Sequence, residues 1–193
     1  MCGRYYVDDE TAREIEKLVR QLDRKIATVE KKDVFPSQKA TVIRGKEQSL
    51  NTEQMVWGFP RFDGKGLLIN ARAESVLEKR SFQESVHQRR CVIPAKGFYE
   101  WNRSKEKFTF QRQDSPILFM AGCFREFDGM DRFVILTTEA NHSVEAVHDR
   151  MPLILEPKEL ENWVLDDGAT EYFLHKTPAL LERNSEYEQM RLF

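Results

Sequence analysis

The chain has only three cysteines in 193 residues, at positions 2, 91 and 123. An odd number, with no C-x-x-C pair and no histidine-rich companion, excludes a disulfide framework and a structural zinc site and indicates a reducing compartment. Glycine (9) and proline (7) are sparse beside 40% hydrophobic residues, which excludes collagen-like and disordered chains. Long apolar runs are also missing. The longest, such as Pro116 to Cys123 and Phe133 to Leu136, fall far short of the ~20 residues of a membrane span. Cys2 to Tyr6 opens into mixed polar sequence with no signal-peptide core. The expectation is a cytoplasmic chain, not secreted, with no membrane contact. Histidines 87, 142, 148 and 175 show no ligand spacing, so no metal and no cofactor is expected.

An excess of one charge is likewise absent, since the net charge is −2. Bulk potential therefore does not mark a nucleic-acid binder. The distribution is uneven, however. Residues 61–112 hold twelve Lys or Arg against six Asp or Glu, a window of +6 in a remainder of −8. A solvated surface and a binding face both fit that window.

The length fits one domain, expected over 2–193. Ile15, Leu18, Val19 and Leu22 recur at helical spacing over 11–22, with Thr11 and Glu14 spaced as a capping box. The stretch 25–40 reads as a loop. Strands are expected at 41–44, 54–58, 67–69, 91–93 (closed by Pro94), 107–112, 117–121, 133–137 and 151–155, with Gly129 in FDGMD turning a hairpin. Short helices are expected at 81–87, from Asn141 to near His148, and after Pro157. Strands dominate and no βαβ alternation occurs. The fold class is therefore α+β, a largely antiparallel, barrel-like sheet with flanking helices.

Four residues invite chemistry. Removal of Met1 ahead of the small Cys2 would leave an α-amine beside a thiol. With a pKa of ~7.7–8.0 against ~10.4 for lysine, roughly a tenth or more of that amine is neutral at pH 7. It can form a Schiff base with an aldehyde, and the thiol can then close a five-membered thiazolidine. A chance small residue at a frayed terminus fits the position equally. Asn70 and Arg72 in LLINARAES share a face if the strand continues, which suits a phosphate or sugar oxygen; a turn Asn with a surface Arg is the alternative. Glu100 lies between Tyr99 and Trp101. Two flanking aromatics would desolvate it and suit it to proton transfer, while a solvent-facing Glu with both aromatics turned inward has the same period. His148, in VHDRMPLIL, has the side chain best matched to proton transfer near pH 7, although a capping or core histidine also fits.

MCGRY at the start, WGF at 57, LINARAES at 68, CVIPAKGFYEW at 91, ILTTEAN at 135 and VHDRMPLIL at 147 resemble, in content and order, the SOS-response-associated peptidase (SRAP) family. The resemblance is strongest over 2–165. It implies a protein that recognises abasic sites in single-stranded DNA and crosslinks to the sugar aldehyde through an N-terminal cysteine. By the same resemblance Asn70 orients the amine or sugar, Glu100 moves protons, and His148 acts on the leaving oxygen and in reversal or strand cleavage. Arg4, Arg72, Arg80 and Arg150 correspond to phosphate-holding positions, and Trp57 to an aromatic packed on exposed bases. The partner implied is abasic single-stranded DNA, bound by a monomer, with lyase activity as a companion. Two departures stand out: DVFPSQ, with Asp33 and Phe35, replaces an Asn-x-Ala-Pro motif, and the C-terminal segment matches poorly. A thiol (auto)peptidase using Cys2 and a noncovalent reader of modified bases are the competing classes.

Overall fold

The computed structural model describes residues 2–22 and 32–185. In chain order the elements are β1 (Tyr5–Val7), α1 (Asp9–Leu22), β2 (Lys32–Val34), β3 (Lys39–Lys46), β4 (Ser49–Trp57), β5 (Phe59–Pro60), β6 (Leu67–Leu68), β7 (Asn70–Arg72), α2 (Gln83–Gln88), β8 (Arg90–Ala95), β9 (Gly97–Trp101) and β10 (Lys107–Gln111). There follow β11 (Leu118–Phe127), β12 (Met130–Glu139), β13 (Arg150–Pro152), β14 (Ile154–Leu155), α3 (Leu160–Leu165), α4 (Thr170–Leu174) and β15 (Glu182–Ser185).

Five strands close on themselves in the order β12, β4, β3, β8, β11 and back to β12, with only the β12–β4 contact parallel. Closure gives each of these strands a partner on both sides over part of its length, which limits the edge a strand-rich chain exposes to its neighbours. Residues 91–93 of β8 and 133–137 of β12 are fully buried at every position, because the outer face of each strand is also covered. That is why they read as continuous apolar runs rather than alternating ones. A second sheet, β15–β10–β9–β1–β2, brings the N-terminal strand beside β9. The α+β, barrel-like class expected from sequence is the observed one.

Several local expectations are corrected by the packing. Helix α1 begins two residues early, because Asp8 Oδ1 accepts the Thr11 amide at 2.8 Å and is the cap; the Thr11 hydroxyl instead donates to the Pro116 carbonyl at 2.9 Å. Pro94 does not close β8. Pairing with β3 ends at Val92, so beyond it one side of β8 is an edge that tolerates a missing N–H, while pairing with β11 runs on to Ala95. Within the expected 25–40 loop, residues 32–34 form β2; residues 25–31 lie outside the described ones. The Asn141–His148 segment forms consecutive turns rather than a helix, and the Asn141 side chain accepts the Ser143 amide at 3.1 Å. The FDGMD hairpin is as expected: Asp128 and Gly129 take φ of 52° and 75°, the left-handed pair that matches strand twist.

Candidate active site

The first strand seats the N-terminus. Tyr5 pairs with Phe98, and the Tyr99 amide donates to the Arg4 carbonyl at 3.0 Å, which aligns the residues before β1 with the end of β9. Gly97 permits the approach of β1 and β10, since a Cβ there would lie 2.3 Å from the Phe110 carbonyl and 3.0 Å from the Tyr6 ring. On β9, Phe98 and Glu100 face inward at 0% and 3% exposure, while Trp101 is exposed. Glu100 is thus desolvated by the packed interior, not by Tyr99 and Trp101, which turn the other way. Burial pushes its carboxyl above the usual range, and the nearby His148 pulls it partly back.

Asn70 comes from β7, held parallel to β12 through Ile135. Its Nδ2 donates to the Cys2 carbonyl at 3.0 Å, and its Oδ1 is buried with no hydrogen-bond partner. Cys2 is buried, its thiol directed to the Arg4 carbonyl at 3.7 Å. Burial pushes that thiol far above the ordinary range, and the charge of Glu100 pushes it further. His148 is held after the turns of 141–147: its Nδ1 accepts the Arg150 amide at 2.9 Å. The ring borders a cleft of about 660 Å³ that Trp101, Asn102 and Arg103 also line. Cys2, Asn70, Glu100 and His148, dispersed over 147 positions of the chain, are thus linked: Asn70 bonds the Cys2 backbone, and Glu100 is within electrostatic reach of both Cys2 and His148.

The expected DNA-contact residues divide. Arg72 shares the face of β7 with Asn70, and Arg80 stands exposed before α2; neither makes an ion pair with another described residue. Arg4 is ion-paired with Asp33, its guanidinium 4.7 Å from the Phe35 ring centre and 4.9 Å from that of Tyr99. Arg150 is buried, forking onto Glu74 at 2.7 and 2.9 Å and donating to the Thr137 carbonyl at 2.7 Å. That guanidinium braces the fold rather than facing a phosphate. Trp57 is 0% exposed, donating to the Ile69 carbonyl at 3.0 Å and stacked on Phe133. It cannot pack on a base.

The sequence reading missed Phe62, fully exposed between Arg61 and Lys65 in the β5–β6 hairpin. An aromatic inside a Gly-rich turn flanked by cations was the available signal. It also missed Glu74, whose partner Arg150 lies 76 residues away. Among the described residues no group of three or more His, Cys, Asp or Glu could hold a metal ion, and no helix is long and apolar enough to cross a membrane.

The family model described as SOS response associated peptidase (SRAP) matches residues 1–191. The chain is 28% identical over 176 residues to the abasic site processing protein YedK of Escherichia coli strain K12, covering 85% of this chain and 79% of that protein. It is 30% identical over 181 residues to the abasic site processing protein YoqW of Bacillus subtilis strain 168, covering 85% and 80%. Among solved structures, a phage-related protein from Bordetella bronchiseptica aligns with a TM-score of 0.77 at 20% identity over 95% of this chain and 93% of that one, a likeness of fold.

Proposed function

The chain belongs to the SOS response associated peptidase (SRAP) family, and from that premise we propose that it processes abasic sites in single-stranded DNA by covalent capture through Cys2. The observation that carries this reading is the hydrogen bond from Asn70 to the Cys2 backbone, beside a buried carboxyl. It fixes an N-terminal residue that would otherwise fray.

With Met1 removed, the α-amine of Cys2 adds to the C1′ aldehyde of the open sugar. Loss of the carbinolamine hydroxyl as water gives the imine. The Cys2 sulfur then bonds to the imine carbon, and the thiol proton passes to the nitrogen, which closes the thiazolidine. The balance is protein plus DNA less one water. Glu100, whose carboxyl burial pushes above the usual range, donates to the departing oxygen and accepts a proton in turn; Asn70 Oδ1 offers an acceptor for the amine. His148 moves the proton between ring and open sugar and assists reversal. Before ring closure the imine acidifies C2′, so loss of that proton and of the 3′ phosphate oxygen gives strand cleavage, the lyase side reaction.

Arg72 and Arg80 hold phosphates, and Phe62 takes the base-stacking role that the resemblance assigned to Trp57. The peptidase reading needs the Cys2 thiolate to begin the reaction, which burial and the charge of Glu100 oppose; in capture the amine attacks first, and the sulfur closes the ring intramolecularly as its proton passes to the nitrogen. The protein acts as a monomer.

The test is intact mass spectrometry after incubating Met-processed protein with a single-stranded oligonucleotide bearing one abasic site. A denaturation-stable adduct short of the summed masses by one water, absent with Cys2→Ser and with undamaged DNA, is expected. No adduct from protein with a verified free Cys2 would reject covalent capture.

A further inference from the structure

The pairing of Arg4 with Asp33 places an acid on a cation next to the candidate site. Arg4 lies two residues from the reactive Cys2. Its guanidinium lies over the rings of Phe35 and Tyr99, at 4.7 and 4.9 Å, contacts that favour its present position. Asp33 is itself held by the Tyr99 hydroxyl, which donates to it at 3.1 Å. It sits on β2, which among the described residues is an edge strand paired with β1 alone. The two side chains are 28% and 29% exposed, so the pair is reached by solvent from one side. A phosphate approaching Arg4 therefore meets a neutralised cation and a fixed carboxylate. It must displace that carboxylate or accept its repulsion.

We propose that Asp33 is a specificity-determining residue: it removes one phosphate contact from the binding of intact single strands, so that retention depends on covalent capture at Cys2. This rests on the DNA-processing reading above and adds to it the reason the protein would release undamaged DNA. A cation that is already paired gains little from a phosphate and releases no additional counterion from the strand. The cost falls equally on damaged and undamaged DNA, but only the damaged strand forms a bond that offsets it.

The experiment is a salt titration of undamaged, fluorescently labelled single-stranded DNA against Met-processed protein and Asp33→Asn, which keeps an acceptor for Tyr99. The expected result for Asp33→Asn is roughly fivefold tighter binding at 0.1 M salt and a log–log salt slope steeper by about 0.7, the value of one added phosphate contact on a single strand. Adding Arg4→Ala should reverse both changes, and it should weaken binding several times more in that background than in the wild type. Equal affinity and slope for wild type and Asp33→Asn would overturn the proposal. Should Asp33→Asn fail to fold, Asp33→Ser carries the same two outcomes. Because both readouts use undamaged DNA, failure of crosslinking would count against the capture mechanism alone, whereas absence of DNA binding by every variant would overturn both.

Discussion

The amide of Arg150 donates to Nδ1 of His148 at 2.9 Å, which requires a lone pair on that nitrogen and puts the proton of the neutral ring on Nε2. Asp149 Oδ1 lies equally close to Nδ1 and would favour the opposite tautomer. It is 86% exposed and can turn to water, whereas the Arg150 backbone is fixed by pairing with Glu139 and by the fork onto Glu74. The amide therefore sets the ring, and Glu74 acts on His148 through Arg150.

Glu74→Gln should consequently slow crosslinking while shifting its pH–rate profile, with undamaged-strand binding changed less than twofold. Removing the charge opposite a buried arginine should also cost about 1–2 kcal/mol in urea denaturation, less than for a fully buried pair because Glu74 is 41% exposed. A variant with wild-type pH profile but lower stability would reduce Glu74 to a structural brace.

Glu100 makes stability depend on pH in a direction opposite to a salt-bridged acid. Its folded pKa is raised, chiefly by burial, above the 4.5 of the free group. Below pH about 4.5 the carboxyl is protonated in both states and contributes nothing; as pH rises from there through the folded pKa, the native state is progressively penalised for holding the charge. Thermal melts of wild type and Glu100→Gln should thus converge near pH 4 and separate above it, the variant being the more stable. The same variant should crosslink far more slowly. Curves that stay parallel from pH 4 to 8 would contradict this account.

Phe62 and Trp57 should respond oppositely to truncation. Phe62→Ala removes a side chain that touches nothing in the fold, so stability should stay within about 0.5 kcal/mol. Affinity for single-stranded DNA should fall about tenfold, the effect of losing one base stack. Trp57→Ala opens the core beside Tyr5 and Phe133 and should cost about 3–5 kcal/mol. Unchanged DNA affinity in Phe62→Ala would leave the hairpin without a role in binding.

These contrasts show what the sequence could and could not convey. Cys2, Asn70, Glu100 and His148 stand out in the sequence because their chemistry is carried by residue type in short motifs, and the structure brings them near one another. The barrel was legible only as a class, since the runs of β8 and β12 are buried on both faces and carry no period to assign sides. Trp57 was misread because an aromatic in a strand can face either way, and the burial that decides it comes from Phe133, 76 residues later. Arg4 and Arg150 were read as phosphate contacts because cations announce charge but not partners. Their acids lie 29 and 76 residues away and meet them only through β1–β2 pairing and the β7–β12 ladder.

Gly97 ties the stability of the second sheet to the site. It pairs with Tyr6 on one side and Gln111 on the other. A Cβ would stand 2.3 Å from the Phe110 carbonyl, a backbone atom that cannot rotate away. Strand β10 would have to withdraw from β9, opening the stack of Phe98 on Phe110 and the 3.3 Å hydrogen bond from the Tyr6 hydroxyl to Gln111. Gly97→Ala should therefore lose about 2–3 kcal/mol in urea denaturation. The displacement also reaches Tyr99, whose amide holds the Arg4 carbonyl, and Glu100 one residue beyond. Crosslinking should fall several-fold even at temperatures where the variant is fully folded, because the carboxyl and the Cys2 backbone no longer share a fixed frame. Full crosslinking rate in a destabilised but folded Gly97→Ala would show that the N-terminus is positioned by Asn70 alone.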